Sequence, residues 1–137
     1  MLQKTIESAS EKTIHHFFTR YGEALGAGDL NVIVDCWGIP AFIFSDGGIQ
    51  TVTESKQVEA FFRNGVAYYK SQGLASTHAE IKQIEQLGQS IYSVDLRWAN
   101  LDENGVKKTT ESWRYTLKVS ADEQPRIHVA VMKADGV

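Results

Sequence analysis

The chain has 137 residues, a net charge of −3 and a single cysteine, Cys36, and these features exclude several classes of protein. The length is that of one domain, expected to span residues 1–137 with its core at about 8–134. Scattered Lys and Arg residues argue against nucleic-acid binding, and one cysteine excludes an internal disulfide or a multi-cysteine zinc site. Residues 1–10 lack a signal-peptide pattern, and no apolar stretch approaches the roughly 18 residues of a membrane span. We therefore expect a cytoplasmic protein with no membrane partner.

Three helices are predicted in the first half of the chain. Ser8 and Glu11 have the spacing of a capping box at the start of the first helix. Asp29 is predicted to cap the N-terminus of the second helix. Thr53 or Ser55 is predicted to cap the N-terminus of the third helix. Apolar residues in these segments recur at helical spacing, which predicts faces that pack on a core. These faces are Ile14, Phe17, Phe18, Tyr21 and Leu25 in the first helix, Leu30, Ile33, Val34 and Trp37 in the second, and Val58, Phe61, Phe62, Val66 and Tyr69 in the third.

Strands are predicted elsewhere. Short apolar runs at 41–45 and 49–52 flank Asp46-Gly47-Gly48, which is typical of a hairpin. Alternating or mixed segments at 74–87, 90–101, 106–119 and 126–133 predict an antiparallel meander, with an Asn-Gly hairpin turn at 104–105. One face of the 106–119 strand carries Thr109, Glu111, Trp113, Tyr115 and Leu117, and one face of the last strand carries Ile127, Val129 and Val131. The fold class is therefore α+β, with three N-terminal-half helices packed on a bent antiparallel sheet.

Three stretches resemble the nuclear transport factor 2-like superfamily: RYGEALGAGDLNVIVDCW at 20–37, IPAFIFSDGG at 39–48 and TESWRYTL at 110–117. The resemblance covers about residues 13–133. This superfamily contains SnoaL-like cyclases, ketosteroid isomerases and non-catalytic domains. Membership implies a cone fold in which the sheet is strongly curved, a pocket between its concave face and the helices, and a homodimer formed through its outer face.

The resemblance also implies candidate catalytic residues. In the ketosteroid isomerase branch, a tyrosine of the first helix and an acid of a late strand act together, and they match Tyr21 and Glu111. The catalytic base of that branch falls on Ser45, and the nearest carboxylate is Asp46, one residue later. A one-residue shift along a strand turns a side chain to the opposite face. The candidate catalytic set is therefore Glu111, Tyr21 and a displaced Asp46.

Glu111 is the most informative of these residues, because strand alternation places it beside Trp113 and Tyr115. A carboxyl among aromatic rings is harder to ionise than one in water, which suits a general acid or a neutral hydrogen-bond donor. The alternative is that Glu111 pairs with an arginine or lies at a wet rim of the sheet. The residues expected to line a pocket for an apolar ligand, unless they simply fill the core, are Trp37, Phe42, Phe44, Phe62, Trp113 and Tyr115.

Two hypotheses for function follow. The first is binding of a small, largely apolar molecule in the conical pocket, with isomerase- or cyclase-type proton transfer as its catalytic form. The second is a non-catalytic dimerisation or protein-interaction domain whose cone is filled by side chains. A cavity of about 300 Å³ or more that contains a carboxyl would favour the first hypothesis. The histidines lack metal-binding spacing and no cofactor motif is present, so we expect no metal and no cofactor.

Overall fold

The computed structural model describes residues 9–120 and 124–134, which form three helices and six strands. The helices are α1 (Ala9–Ala27), α2 (Leu30–Asp35) and α3 (Ser55–Ser71). The strands are β1 (Trp37–Ser45), β2 (Gly48–Val52), β3 (Leu74–Gln86), β4 (Ile91–Asp102), β5 (Lys107–Lys118) and β6 (Arg126–Lys133). Ser8, predicted to belong to a capping box, lies outside the described residues. In this part of the chain, no helix is both long enough and apolar enough to cross a membrane.

The strands form one curled but unclosed sheet in the order β2-β1-β6-β5-β4-β3. The meander from β3 to β6 and the β1–β2 hairpin are antiparallel, as predicted. Strand β1 pairs with β6 in parallel, so the sheet is mixed. The sequence did not predict this pair, because the two strands lie far apart in the chain and no local pattern joins them. The α+β class with three helices against a curved sheet is confirmed.

Helix α1 supplies the centre of the core. Its predicted stripe is confirmed: Ile14, Phe17, Phe18 and Tyr21 are each at most 4% exposed. The ring of Phe18 packs against rings of β4 and β5, with its centroid 5.3 Å from that of Tyr115 and 6.3 Å from that of Trp98. Complete burial of a side chain such as Phe18 stabilises the fold by about 1.5–3 kcal/mol. This helix thereby covers the concave face of the sheet.

Two predicted helix boundaries are wrong. Helix α2 ends at Asp35, and Trp37 begins β1, where it pairs with Ile127 of β6. Pairing with the sheet therefore overrides the helical spacing that included Trp37. The N-cap of α3 is Glu54, between the two residues predicted; the side chain of Gln57 accepts the backbone N–H of Glu54 at 3.0 Å. A glutamine three residues into a helix can satisfy a free donor in this way.

The predicted alternation of β6 is also wrong. Thr116 pairs with Val129 and Leu117 with Ile127, so His128 is an extra residue that shifts the register. Ile127 and Ala130 consequently face the core, and Val129 lies on the opposite face with Val131. A bulge of this kind reverses the alternation of every later residue in the strand.

Candidate functional site

A cavity of about 440 Å³ lies between the concave face of the sheet and helices α1 and α3. This volume exceeds the roughly 300 Å³ at which small-molecule sites begin, so the cone is not filled by side chains. All three tryptophans of the chain line the cavity. The aromatic residues in its wall are Tyr21, Trp37, Phe61, Phe62, Tyr68, Tyr69, Trp98, Trp113 and Tyr115.

Glu111 lies in the cavity wall on β5, on the same face as Trp113 and Tyr115, as the alternation predicted. Three neutral groups donate hydrogen bonds to its carboxylate. The hydroxyl of Tyr69 donates to Oε2, Asn100 Nδ2 donates to Oε2 at 3.4 Å, and Trp113 Nε1 donates to Oε1 at 3.3 Å. None of the ion pairs formed within residues 9–120 and 124–134 involves Glu111. The alternative in which an arginine pairs with Glu111 is therefore wrong.

Hydrogen bonds to two threonines hold the side chain of Asn100 in place. Thr77 Oγ1 donates to Asn100 Oδ1 at 2.7 Å, and Asn100 Nδ2 also donates to Thr109 Oγ1 at 3.0 Å. An indole N–H can only donate, and an ionised carboxylate can only accept. The carboxyl of Glu111 therefore accepts three hydrogen bonds, of which that from Trp113 Nε1 can run in one direction only. In this arrangement Glu111 acts as a hydrogen-bond acceptor towards all three side chains.

Two further tyrosines of the cavity wall accept hydrogen bonds from indole N–H groups. Trp37 Nε1 donates to the hydroxyl of Tyr21 at 3.1 Å, and Trp98 Nε1 donates to that of Tyr115 at 2.8 Å. Burial is the main cause that raises the pKa of both tyrosines, so their hydroxyls are neutral at physiological pH. Because each oxygen already accepts an indole N–H, the hydroxyl hydrogen is the group available to a ligand. Tyr21 and Tyr115 can therefore donate to an oxygen of a bound molecule.

Tyr69 is a site residue that sequence reasoning placed only in the core stripe of α3. Burial, followed by the hydrogen bond to Glu111 and the charge of that carboxylate, raises its pKa. Tyr69 therefore remains a protonated donor to Glu111. Asn100 was not predicted at all, although it follows Trp98 by two residues on a strand and so shares its face. Neither residue could be matched to Glu111 from local spacing.

Asp46, the residue predicted to serve as a displaced catalytic base, does not lie in the cavity wall. Asp46 occupies the exposed two-residue turn between β1 and β2, outside the cavity lining, whereas Ser45 does line the cavity. The position that carries a carboxylate in the ketosteroid isomerase branch thus presents only a hydroxyl here. An Asp-Gly turn is an ordinary place for an aspartate, since its side chain stabilises the turn.

Four of the six predicted lining aromatics are in the wall, namely Trp37, Phe62, Trp113 and Tyr115. Phe42 and Phe44 are not, and they are 39% and 37% exposed. Side chains alternate between the two faces of a strand. Ala41 and Ile43 of β1 are buried. Phe42 and Phe44 alternate with them and therefore turn to the outer face of the sheet.

The described residues contain no group of three or more His, Cys, Asp or Glu side chains that could hold a metal ion. The sulfur of Cys36 is buried beneath Arg20, whose Nη1 lies 3.7 Å away. Burial raises the pKa of the Cys36 thiol to about 11. The thiol is therefore protonated at neutral pH and packs as a small apolar side chain.

Comparison with known proteins agrees with this architecture. The chain is similar over 91% of its length to an NTF-2 like protein of unknown function from Shewanella oneidensis MR-1, with 99% of that chain covered, a TM-score of 0.73 and 16% identity. It is similar to Aln2 from a Streptomyces species, with 93% of each chain covered, a TM-score of 0.72 and 17% identity.

A ketosteroid isomerase-like protein from Erwinia carotovora atroseptica is also similar, with 91% of this chain and 95% of that chain covered, a TM-score of 0.64 and 12% identity. Identities this low show a shared fold and no more. No curated protein matches the sequence. A family model described as NTF2-like protein (DUF6841) matches residues 10–135. This chain therefore belongs to the NTF2-like protein family DUF6841.

Proposed function

We propose that this domain binds a small, largely apolar molecule in the conical cavity, with one polar group of that molecule held by Glu111. The observation that carries the proposal is a cavity of about 440 Å³ with aromatic walls and a single carboxylate among its described lining residues. Small-molecule sites typically combine an apolar wall with a few convergent polar groups. Burial of the ligand against aromatic rings would supply affinity, and hydrogen bonds at Glu111 would fix its orientation.

A second candidate function is proton transfer on such a ligand. One specific observation favours it: the carboxylate of Glu111 and the hydroxyls of Tyr21 and Tyr115 line the same cavity. A carboxylate can accept a proton from carbon next to a carbonyl group, while hydroxyl donors stabilise the negative charge that develops on the carbonyl oxygen. Because Ser45 replaces the usual carboxylate, the base in this chemistry would be Glu111 itself.

The binding proposal can be tested with the three indole N–H groups. Each donates to a different cavity group: Trp37 to Tyr21, Trp98 to Tyr115, and Trp113 to Glu111. In a proton–nitrogen correlation spectrum, a molecule that enters the cavity should shift all three indole signals. Naphthylmethanol is a suitable probe, since it is flat, apolar and carries one hydroxyl donor.

Gly65 provides a matched pair of variants. It lies in α3 and lines the cavity, and a Cβ added there would meet no atom within 4 Å. Gly65→Leu should fill part of the cavity, whereas Gly65→Ala adds a single methyl group and improves helix propensity by about 1 kcal/mol. Naphthylmethanol should shift the indole signals of the wild type and Gly65→Ala, and not those of Gly65→Leu. Absence of shifts in the wild type, or equal shifts in a folded Gly65→Leu variant, would contradict binding in the cavity.

A further inference from the structure

We propose that the molecule bound in this cavity is an organic cation, an apolar compound whose protonated amine or quaternary ammonium group lies against Glu111. The inference rests on the proposed small-molecule site and adds the charge of its ligand. It derives from a carboxylate with no cationic partner among residues 9–120 and 124–134, from the aromatic rings around it, and from the hydrogen-bonding capacity that the carboxylate retains.

The carboxylate of Glu111 is not neutralised within the described parts of the chain. Its hydrogen-bond partners Tyr69, Asn100 and Trp113 are all uncharged. Lys70 is the one cationic residue among the described lining residues, and its Nζ would lie 4.0 Å from a Cβ built at Gly28, beyond the end of α1. Glu111 is half-buried, and a charge that is partly withdrawn from water is stabilised by an opposite charge. A positively charged ligand would supply the missing partner.

Aromatic rings flank this carboxylate. The rings of Trp113 and Tyr115 are stacked at 18°, with centroids 6.0 Å apart, and both residues share the Glu111 face of β5. The ring of Tyr69 approaches from α3 through its hydrogen bond to the carboxylate. A cation over the face of an aromatic ring is attracted to it, and the carboxylate in the same wall adds an opposite charge. An anionic ligand would instead meet the like charge of Glu111.

The carboxylate also retains room for a ligand. Oε1 accepts one bond, from Trp113 at 3.3 Å, and the two other donors bond Oε2. An ionised carboxylate has about four lone-pair sites. One acceptor position thus remains on Oε1 after all three protein donors are counted. An ammonium N–H placed there would form a charge-assisted hydrogen bond, which is about twice as strong as a neutral one.

The test compares three probes that share a naphthyl group: naphthylmethylamine, which is cationic at neutral pH, the neutral naphthylmethanol, and the anionic naphthylacetate. Affinities are measured by calorimetry for the wild type, Glu111→Gln and Glu80→Gln. Glu80 is a matched control, because it carries the same charge, lies outside the cavity lining and pairs with Lys107 at 3.6 Å. Loss of Glu80 tests whether any effect comes only from the overall charge of the protein.

We expect the amine to bind the wild type at least about tenfold more tightly than the alcohol, and the anion to bind most weakly. Glu111→Gln should remove this preference, and Glu80→Gln should preserve it. Equal or tighter binding of the alcohol by the wild type would overturn the cation proposal and leave the small-molecule site intact. Failure of all three probes to bind would overturn both. Since the comparison of probes is made on the wild type, it does not depend on the folding of Glu111→Gln.

Discussion

The hydroxyl of Tyr69, in the C-terminal half of α3, donates a hydrogen bond to the carboxylate of Glu111 on β5. This bond links the helix to the concave face of the sheet inside the cavity. It joins two residues that are 42 positions apart in the chain. The position of the Glu111 carboxylate therefore depends on α3 as well as on β5.

Removal of this hydrogen bond should lower stability modestly. Tyr69→Phe retains the ring and deletes one donor, while Asn100 and Trp113 continue to bond the carboxylate. We expect a loss of about 0.5–1.5 kcal/mol in the free energy of unfolding, measured with urea. The indole N–H signal of Trp113 should shift in the native spectrum, because its acceptor loses another donor.

Tyr68→Phe is the matched control for this experiment. Tyr68 is the neighbouring residue of α3 and is 61% exposed, so removal of its hydroxyl should change stability by less than about 0.5 kcal/mol. Equal stability losses in the two variants, with no shift of the Trp113 signal in Tyr69→Phe, would show that the bond to Glu111 has no role.

The close approach of β1 to the bulge in β6 requires glycine at position 38. A Cβ at Gly38 would lie 2.2 Å from Nε2 of His128, and the imidazole is held by a 2.7 Å hydrogen bond between Nδ1 and the Pro40 carbonyl oxygen. Gly38→Ala should therefore lower stability by about 1–3 kcal/mol, through overpacking. Urea denaturation gives this value directly.

A double-mutant cycle with His128→Ala isolates the cause. Once the imidazole is removed, a methyl group at position 38 should cost much less, and the two substitutions should show strong coupling. If Gly38→Ala is equally destabilising in both backgrounds, the cost comes from the backbone of β1 and not from contact with His128.

The buried thiol of Cys36 should make stability depend on alkaline pH. Its pKa rises from an ordinary 9.0 to about 11 on folding, so the folded state holds the proton more tightly. The contribution of this group is fully present below about pH 9 and is lost as the pH rises towards 11. Cys36→Ala should consequently lose stability less steeply over this range than the wild type. Parallel stability curves for the two proteins would contradict the shift.

The homodimer implied by the family resemblance remains a prediction. Phe42 and Phe44 give the outer face of the sheet an exposed apolar surface, next to Val129 and Val131 of β6. If this face pairs with a second copy, Phe44→Glu should produce a folded monomer in sedimentation experiments, since a charge opposes apolar burial. Leu87→Glu, at a position that is 57% exposed beyond the end of β3, should leave the dimer unchanged. A monomeric wild type at high protein concentration would contradict the prediction.

Strand alternation was sufficient to predict one side of the site. Along β5 the period of two residues correctly grouped Glu111, Trp113 and Tyr115, because that strand has a regular register in this region. The same rule failed for His128 in β6, because a bulge adds one residue to the strand and leaves no signature in a single sequence. Local pattern therefore predicts a face only while the register is uninterrupted.

The partners of Glu111 required the tertiary structure. Tyr69 and Asn100 reach the carboxylate from α3 and β4, and their positions depend on how the helix lies across the curved sheet. The aromatics of β1 were misassigned for a related reason. Phe42 and Phe44 lie in a short apolar run. Pairing with β6 decides which alternate side chains of this run face the helices.

A crystal structure of the protein grown with naphthylmethanol would show whether the cavity is a small-molecule site. We expect electron density inside the cavity, with the naphthyl ring against Trp113 and the hydroxyl within hydrogen-bond distance of Glu111. Density for the probe only on the outer face of the sheet, or a cavity closed by rearranged aromatic side chains, would contradict a small-molecule site in the cone.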